Sequence, residues 1–230
     1  MAPGENGRVA LSSLAGGRQD VVTVRPDGGD RRPLTDDGAG NVQPTWSPDG
    51  RRVAFASRRD GEADIWVADT GGGPAVRLTE GSALDTEPAW SPDGTRIAFA
   101  SNRTGNLDVF VMIDDGTGVR PLTAGLEADT TPAWSPDGTR IAFASDRTGN
   151  FDIFVVNADG RLPVPLTDDP ATDTEPAWSP DGNQIAFTSS RTGRLFVMSA
   201  TGDSESLLPG AGDADLHPVF GPAPARHTAR

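Results

Sequence analysis

Hydrophobic positions along this chain come in short uninterrupted runs, such as "RIAFA" at 96–100 and "VFVMI" at 109–113, separated by clusters of Gly, Pro, Asp, Asn and Ser. Runs of this length bounded by turn residues predict β-strands. Their lack of polar alternation predicts strands covered on both faces. The pattern reads as all-β.

The runs also recur. Trp46, Trp90, Trp134 and Trp178 stand 44 residues apart, each inside a P-x-W-S-P-D-G block, and Phe220 in "PVFGP" follows 42 residues later. Phe55, Phe99, Phe143 and Phe187 keep the same offset, as do Leu34, Leu78, Leu122 and Leu166, with Leu208 continuing after a two-residue deletion. A period near 44 built from strand-length pieces predicts propeller blades. One unit reads as four strands: "EPAWS" (87–91), "RIAFAS" (96–101), "LDVFVMI" (107–113) and "VRPLT" (119–123). Pro92 suits the first central position of a type I turn and Gly94 its exit. Arg120 and Pro121 suit an outer edge.

Residues 8–35 match strands two to four of the unit, and "HPVFGP" (217–222) matches only strand one. The two fragments complete one blade. The expectation is therefore a single domain over 1–230, a five-bladed propeller of four-stranded antiparallel blades. Blade 1 takes 8–40 plus 217–222, and blades 2 to 5 take 44–84, 88–128, 132–172 and 176–212. Pairing of the C-terminal inner strand with the N-terminal partial blade closes the ring. An arc cut from a larger ring is the rival.

The stretch "PAWSPDGTRIAFASNRTGNLDVFVM" resembles the repeat of TolB-type β-propellers, and the likeness covers roughly residues 8–222. It implies a toroid of blades around a central channel and no single activity, because such rings serve as interaction modules of the bacterial cell envelope, as gating domains of peptidases and in some polysaccharide lyases. A bacterial envelope location is allowed by the resemblance; the residues themselves leave the compartment open. The chain lacks the separate α/β domain and the sixth blade of TolB, and it carries no G-x-S-x-G elbow of the peptidases.

Composition narrows the partners. A formal charge of -13 opposes nucleic acid and anionic membranes and leaves cations, basic peptides and neutral ligands. There is no cysteine, hence no disulfide framework or thiolate metal site. "MAPGENGRVALSS" shows no signal peptide, and no apolar run is long enough to cross a membrane as a helix. A monomer is expected.

Three repeated motifs favour structural roles. Ser-Pro-Asp-Gly occurs four times beside only two histidines, His217 and His227, so a turn explains it better than a Ser-His-Asp triad. Arg103 with Asp108, repeated as Arg147 with Asp152, and with Asp64 and Asp20 also at the Asp position, reads as ion pairing and turn capping. "NRT" at 102–104 fits a glycosylation sequon, but its copies "DRT" and "SRT" mark a turn.

The sharper candidates precede each inner strand. Three residues ahead of the repeated Pro stand Asn41, Asp85, Asp129, Asp173 and Asp215; one residue ahead stand Gln43, Glu87, Thr131, Glu175 and His217. Both sets are expected to ring one channel mouth, on the same side of the strand. Two carboxylates about 7 Å apart repel by roughly 2 kcal/mol at an effective dielectric near 20. The Asp ring therefore invites a cation (Ca²⁺ or Mg²⁺), an Arg, or raised pKa values, unless the Asp cap their own turns in solvent. The second set differs from blade to blade, which makes its members the better recognition candidates.

The leading expectation is a non-catalytic binding or scaffold module that recognises a protein, peptide or cation at this mouth. The alternatives are a metal-assisted lyase or hydrolase with His217 as base, a lectin-like ring, and a recently amplified or designed ring with no evolved ligand.

Overall fold

The computed structural model describes residues 7–208, 210 and 218. Its strands form five antiparallel sheets and, among the described residues, there is no helix. Blade 1 contains β1 (Val9–Ala15), β2 (Arg18–Val24) and β3 (Arg32–Pro33). Blade 2 contains β4 (Val42–Trp46), β5 (Arg52–Ser57), β6 (Asp64–Asp69) and β7 (Val76–Arg77). Blade 3 has β8 (Asp85–Trp90), β9 (Arg96–Ser101), β10 (Asp108–Ile113) and β11 (Arg120–Pro121). Blade 4 has β12 (Asp129–Trp134), β13 (Arg140–Ser145), β14 (Asp152–Asn157) and β15 (Val164–Pro165). Blade 5 has β16 (Asp173–Trp178), β17 (Gln184–Ser189), β18 (Arg194–Ser199) and β19 (Ser206–Leu207). Each sheet is ordered as a meander, so the fold is the expected five-bladed propeller.

In blades 2 to 5 the second strand carries the deepest core residues. Phe55, Phe99, Phe143 and Phe187 are fully buried, and Phe99, Phe143 and Phe187 lie with ring centroids 5.8–5.9 Å from Phe110, Phe154 and Phe196 on the third strand. The inner-strand Trp joins blades: Trp90 packs on Ala54, Ile65 and Val67 of blade 2 as well as on Ile97 and Phe99 of its own. Trp134 and Trp178 add a hydrogen bond from Nε1 to the carbonyls of Ala89 and Ala133 in the preceding blades (3.2 and 3.1 Å).

One feature of the inner strands escapes the repeat pattern. Thr86 pairs with Ala100 and Ala89 with Ala98, so Glu87 and Pro88 together face Phe99. Two residues against one make a β-bulge, and it recurs in blades 2, 4 and 5. Pro88 has no N–H to orphan there. The first bulge residue adopts a left-handed backbone in all four copies, with φ of 54° at Gln43, 56° at Glu87, 50° at Thr131 and 58° at Glu175. Gly would adopt it at least cost, yet every copy keeps a side chain.

The inner strand expected for blade 1, residues 217–222, lies outside the described residues apart from Pro218.

Candidate functional site

The inner strands meet at an axial cavity of about 550 Å³. Pro44, Pro88, Pro132 and Pro176 line it, one from each complete blade, together with Pro218. Gln43, Glu87, Thr131 and Glu175 line it too, so the structure gathers four of the five residues expected at the mouth. His217 lies outside the described residues.

These four residues are joined head to tail. The bulge turns each backbone N–H away from its own sheet, and the side chain of the preceding blade accepts it. Gln43 N donates to Ser12 Oγ (3.0 Å), Glu87 N to Gln43 Oε1 (3.1 Å), Thr131 N to Glu87 Oε2 (2.7 Å) and Glu175 N to Thr131 Oγ1 (3.3 Å). Ser, Gln, Glu and Thr share little beyond an oxygen that accepts. The variation that suggested recognition thus hides one common structural task. It does not exhaust the side chains, because Glu87 uses one carboxylate oxygen in the ladder.

Burial pushes the Glu87 carboxyl above the usual carboxylate range; the bond from Thr131 N pulls it down and the charge of Glu175 pushes it further up. Thr188 Oγ1 donates to Glu175 Oε2 (3.1 Å). Ser12 and Thr188 were missed from sequence, although a signal existed. They occupy the column where blades 2, 3 and 4 have Ala56, Ala100 and Ala144, and a hydroxyl in an alanine column has to find a partner.

The Asp ring is different. Asp85, Asp129 and Asp173 are buried, and each faces an arginine of its own blade: Arg103 (2.9 Å), Arg147 (2.9 Å) and Arg191 (3.2 Å). The bulge between this position and the next breaks the alternation that would have placed the two sets side by side. Of the compensations open to the Asp ring, the fold uses the arginine. These residues do not fit a shared Ca²⁺ or Mg²⁺, and among the described residues no group of three or more His, Cys, Asp or Glu could hold a metal. Asn41 at the equivalent position of blade 2 accepts from Arg59 Nη2 (3.1 Å) and donates to Asp20 Oδ1 (3.1 Å). Asp215 lies outside the described residues.

The pairing expected of Arg103 with Asp108 is also corrected. Arg103 reaches back to Asp85 while lying over the rings of Phe99 and Phe110, and Asp108 accepts from Thr104 Oγ1 (2.6 Å). Likewise Arg147 takes Asp129, and Asp152 accepts from Thr148 and from Thr167 Oγ1 (3.0 Å). Cross-strand register brings Asp85, Ser101 and Asp108 side by side, and the Arg selects the inner carboxylate.

Ser-Pro-Asp-Gly is a turn, as expected. Ser135 Oγ donates to Asp137 Oδ1 (2.6 Å) and accepts from Arg140 N (3.0 Å), and Asp137 also accepts from Thr139 N (3.0 Å). Those bonds lower Asp137 to a pKa of about 2, led by the Ser135 hydroxyl.

The sequence profile of the TolB beta propeller domain matches residues 3–131 and 126–225. The chain belongs to the TolB β-propeller family. A putative TolB from Agrobacterium tumefaciens superposes with a TM-score of 0.80 at 25% identity, covering 90% of this chain and 79% of that one. TolB from Acinetobacter baumannii gives 0.77 at 24% identity over 89% of this chain, which spans only 53% of that protein. A puromycin-hydrolyzing peptidase of Mycobacterium tuberculosis shares the fold at a TM-score of 0.66 and 22% identity, with 86% of this chain on 37% of the peptidase. No curated protein sequence matches the chain.

Proposed function

We propose that this propeller is a non-catalytic binding or scaffold module whose axial mouth receives a cationic group carried by a protein or peptide. One observation carries the reading: a cavity of about 550 Å³, walled by prolines, whose charged lining residues are Glu87 and Glu175. Apolar walls with carboxylates suit an aliphatic stem ending in an ammonium or guanidinium. The carboxyl of Glu87, pushed up by burial and by Glu175, gains from an incoming positive charge. The net charge of -13 would draw such a ligand in. Membership of the TolB family accords with a binding role.

The test is anisotropy of a fluorescent peptide with a single lysine, at low and high salt. Glu87→Gln keeps the oxygen that Thr131 N needs, and it is expected to weaken binding about tenfold. Replacing the lysine with norleucine is expected to abolish it. Equal affinity for both peptides would overturn the proposal, and hydrolase or lyase turnover that disappears in His217→Ala would overturn its non-catalytic part.

A further inference from the structure

The end of the ring that carries the Ser-Pro-Asp-Gly turns has a second kind of site, outside the axial cavity. In three successive junctions an arginine at the start of a second strand stacks on the Trp of the next blade: Arg52 on Trp90, Arg96 on Trp134 and Arg140 on Trp178, with the guanidinium carbon 4.6–4.7 Å from the ring centroid. The stack fixes the plane of the guanidinium and leaves its N–H edges to find acceptors.

The three edges meet different surroundings. Arg52 forms an ion pair with Asp114 of blade 3 (2.9 Å). Arg140 donates from Nη1 to the carbonyl of Ala200 in blade 5 (3.4 Å). Arg96 has neither. The position equivalent to Asp114 in blade 4 is Ala158, and the Ala158 carbonyl is taken by Arg120 Nη2 (2.8 Å). Arg120 stands where Val76, Val164 and Ser206 hold that position in the other complete blades, with Arg32 matching it in blade 1. The junction of blades 3 and 4 therefore lacks the carboxylate that Asp114 supplies where Thr70, Ala158 and Ala200 stand in the other complete blades, and it gains the guanidinium of Arg120.

The result is a cleft of about 520 Å³ between blades 3 and 4, lined by the charged groups Arg96, Arg120 and Asp159, with Thr139 and Asn157 as further polar groups. Among the described residues, the Arg96 guanidinium makes no hydrogen bond or ion pair, while its backbone N donates to Ser91 Oγ (3.0 Å). Nearby carboxylates are engaged in their own turns. Asp159 accepts from Arg161 N (3.0 Å), and Asp93 accepts from Ser91 Oγ (2.5 Å) and Thr95 N (3.0 Å), with Arg96 helping to hold it ionised from a distance.

We propose that this cleft binds a carboxylate, seated on Arg96 as Asp114 is seated on Arg52. The chain supplies its own reference ligand at the neighbouring junction, and the planar fork of a stacked arginine matches a carboxylate's two oxygens. The source is either a free small carboxylic acid or an acidic side chain of a bound polypeptide. The proposal is independent of what the axial mouth binds.

Calorimetry on the full chain tests it, with succinate as the free acid and a capped peptide bearing one aspartate as the other source. At low salt a dissociation constant of roughly 1 mM is expected for whichever source fits. Arg96→Gln is expected to weaken binding at least about tenfold, and Ala158→Asp, which brings in the carboxylate that Arg52 enjoys, to abolish it. Arg52→Gln should leave binding unchanged. Thermal melts of each variant confirm folding, and Ala158→Asp is expected to melt no lower than the parent. Succinate binding alone identifies a small-molecule site, and peptide binding alone identifies a docking contact. No saturable binding of either probe up to about 50 mM, or equal loss in Arg52→Gln, would overturn the proposal. Inorganic phosphate binding tenfold tighter than both probes would overturn the carboxylate assignment.

Discussion

The two ends of each inner strand repeat in opposite ways. At one end Ser-Pro-Asp-Gly is identical in four blades, and its residues make the same bonds each time. At the other, Gln43, Glu87, Thr131 and Glu175 differ, and yet Gln43, Glu87 and Thr131 each accept the amide of the next blade. The turn requires one residue that both donates and accepts, then a Gly at positive φ (71° at Gly94) whose would-be Cβ stands 3.2 Å from the preceding blade's Pro48. The mouth requires only an oxygen at a certain reach. Sequence identity measures how narrowly the local geometry specifies a residue, and a varied column can be as structural as a fixed one.

The comparison can be broken by substitution, starting at the uniform end. Trp134→Ala removes an inter-blade anchor and the bond to Ala89 O, and should cost about 3–5 kcal/mol in urea unfolding. Trp90, whose buried Nε1 has no partner, should cost about 1 kcal/mol less on the same change. A smaller loss follows from Ser135→Ala, about 1–2 kcal/mol, because the buried hydroxyl serves Asp137 and the backbone of Arg140.

At the varied end, Glu87→Ala should cost about 1 kcal/mol through the orphaned Thr131 N, whereas Glu87→Gln, like the natural Gln43, should preserve the bond. Equal losses for Ala and Gln would mean that the ladder oxygen contributes nothing. The finest effect is in pH. The folded pKa of Glu87 is raised, so its favourable contribution is complete below the ordinary value of 4.5 and is lost as pH rises through the folded value. Glu87→Gln should therefore match the parent near pH 4 and become the more stable of the two as the pH rises, in melts followed by Trp fluorescence.

Much of the fold was legible because a period of 44 repeats its errors as well as its signals. Strand "RIAFAS" falls at 96–101 in both sequence and structure, and the regularly spaced Trp column lies between blades. The bulge was not legible, since an extra residue present in every blade leaves the period unchanged. That one residue displaced the Asp column from the mouth. The Arg103 partner was missed for a related reason: Asp108 is close in sequence, but cross-strand register offers Asp85 to the same guanidinium.

The ladder of bulge amides also has a direction. Each of blades 2 to 4 brings one donor for its predecessor and one acceptor for its successor, and neither depends on which residue the neighbour carries. Such a part can be copied, deleted or exchanged between rings with its joints already matched. The same economy lets a 13-residue stretch stand letter for letter in two adjacent blades without a misfit at either border, and it makes the blade, more than the residue, the natural unit of change in this chain.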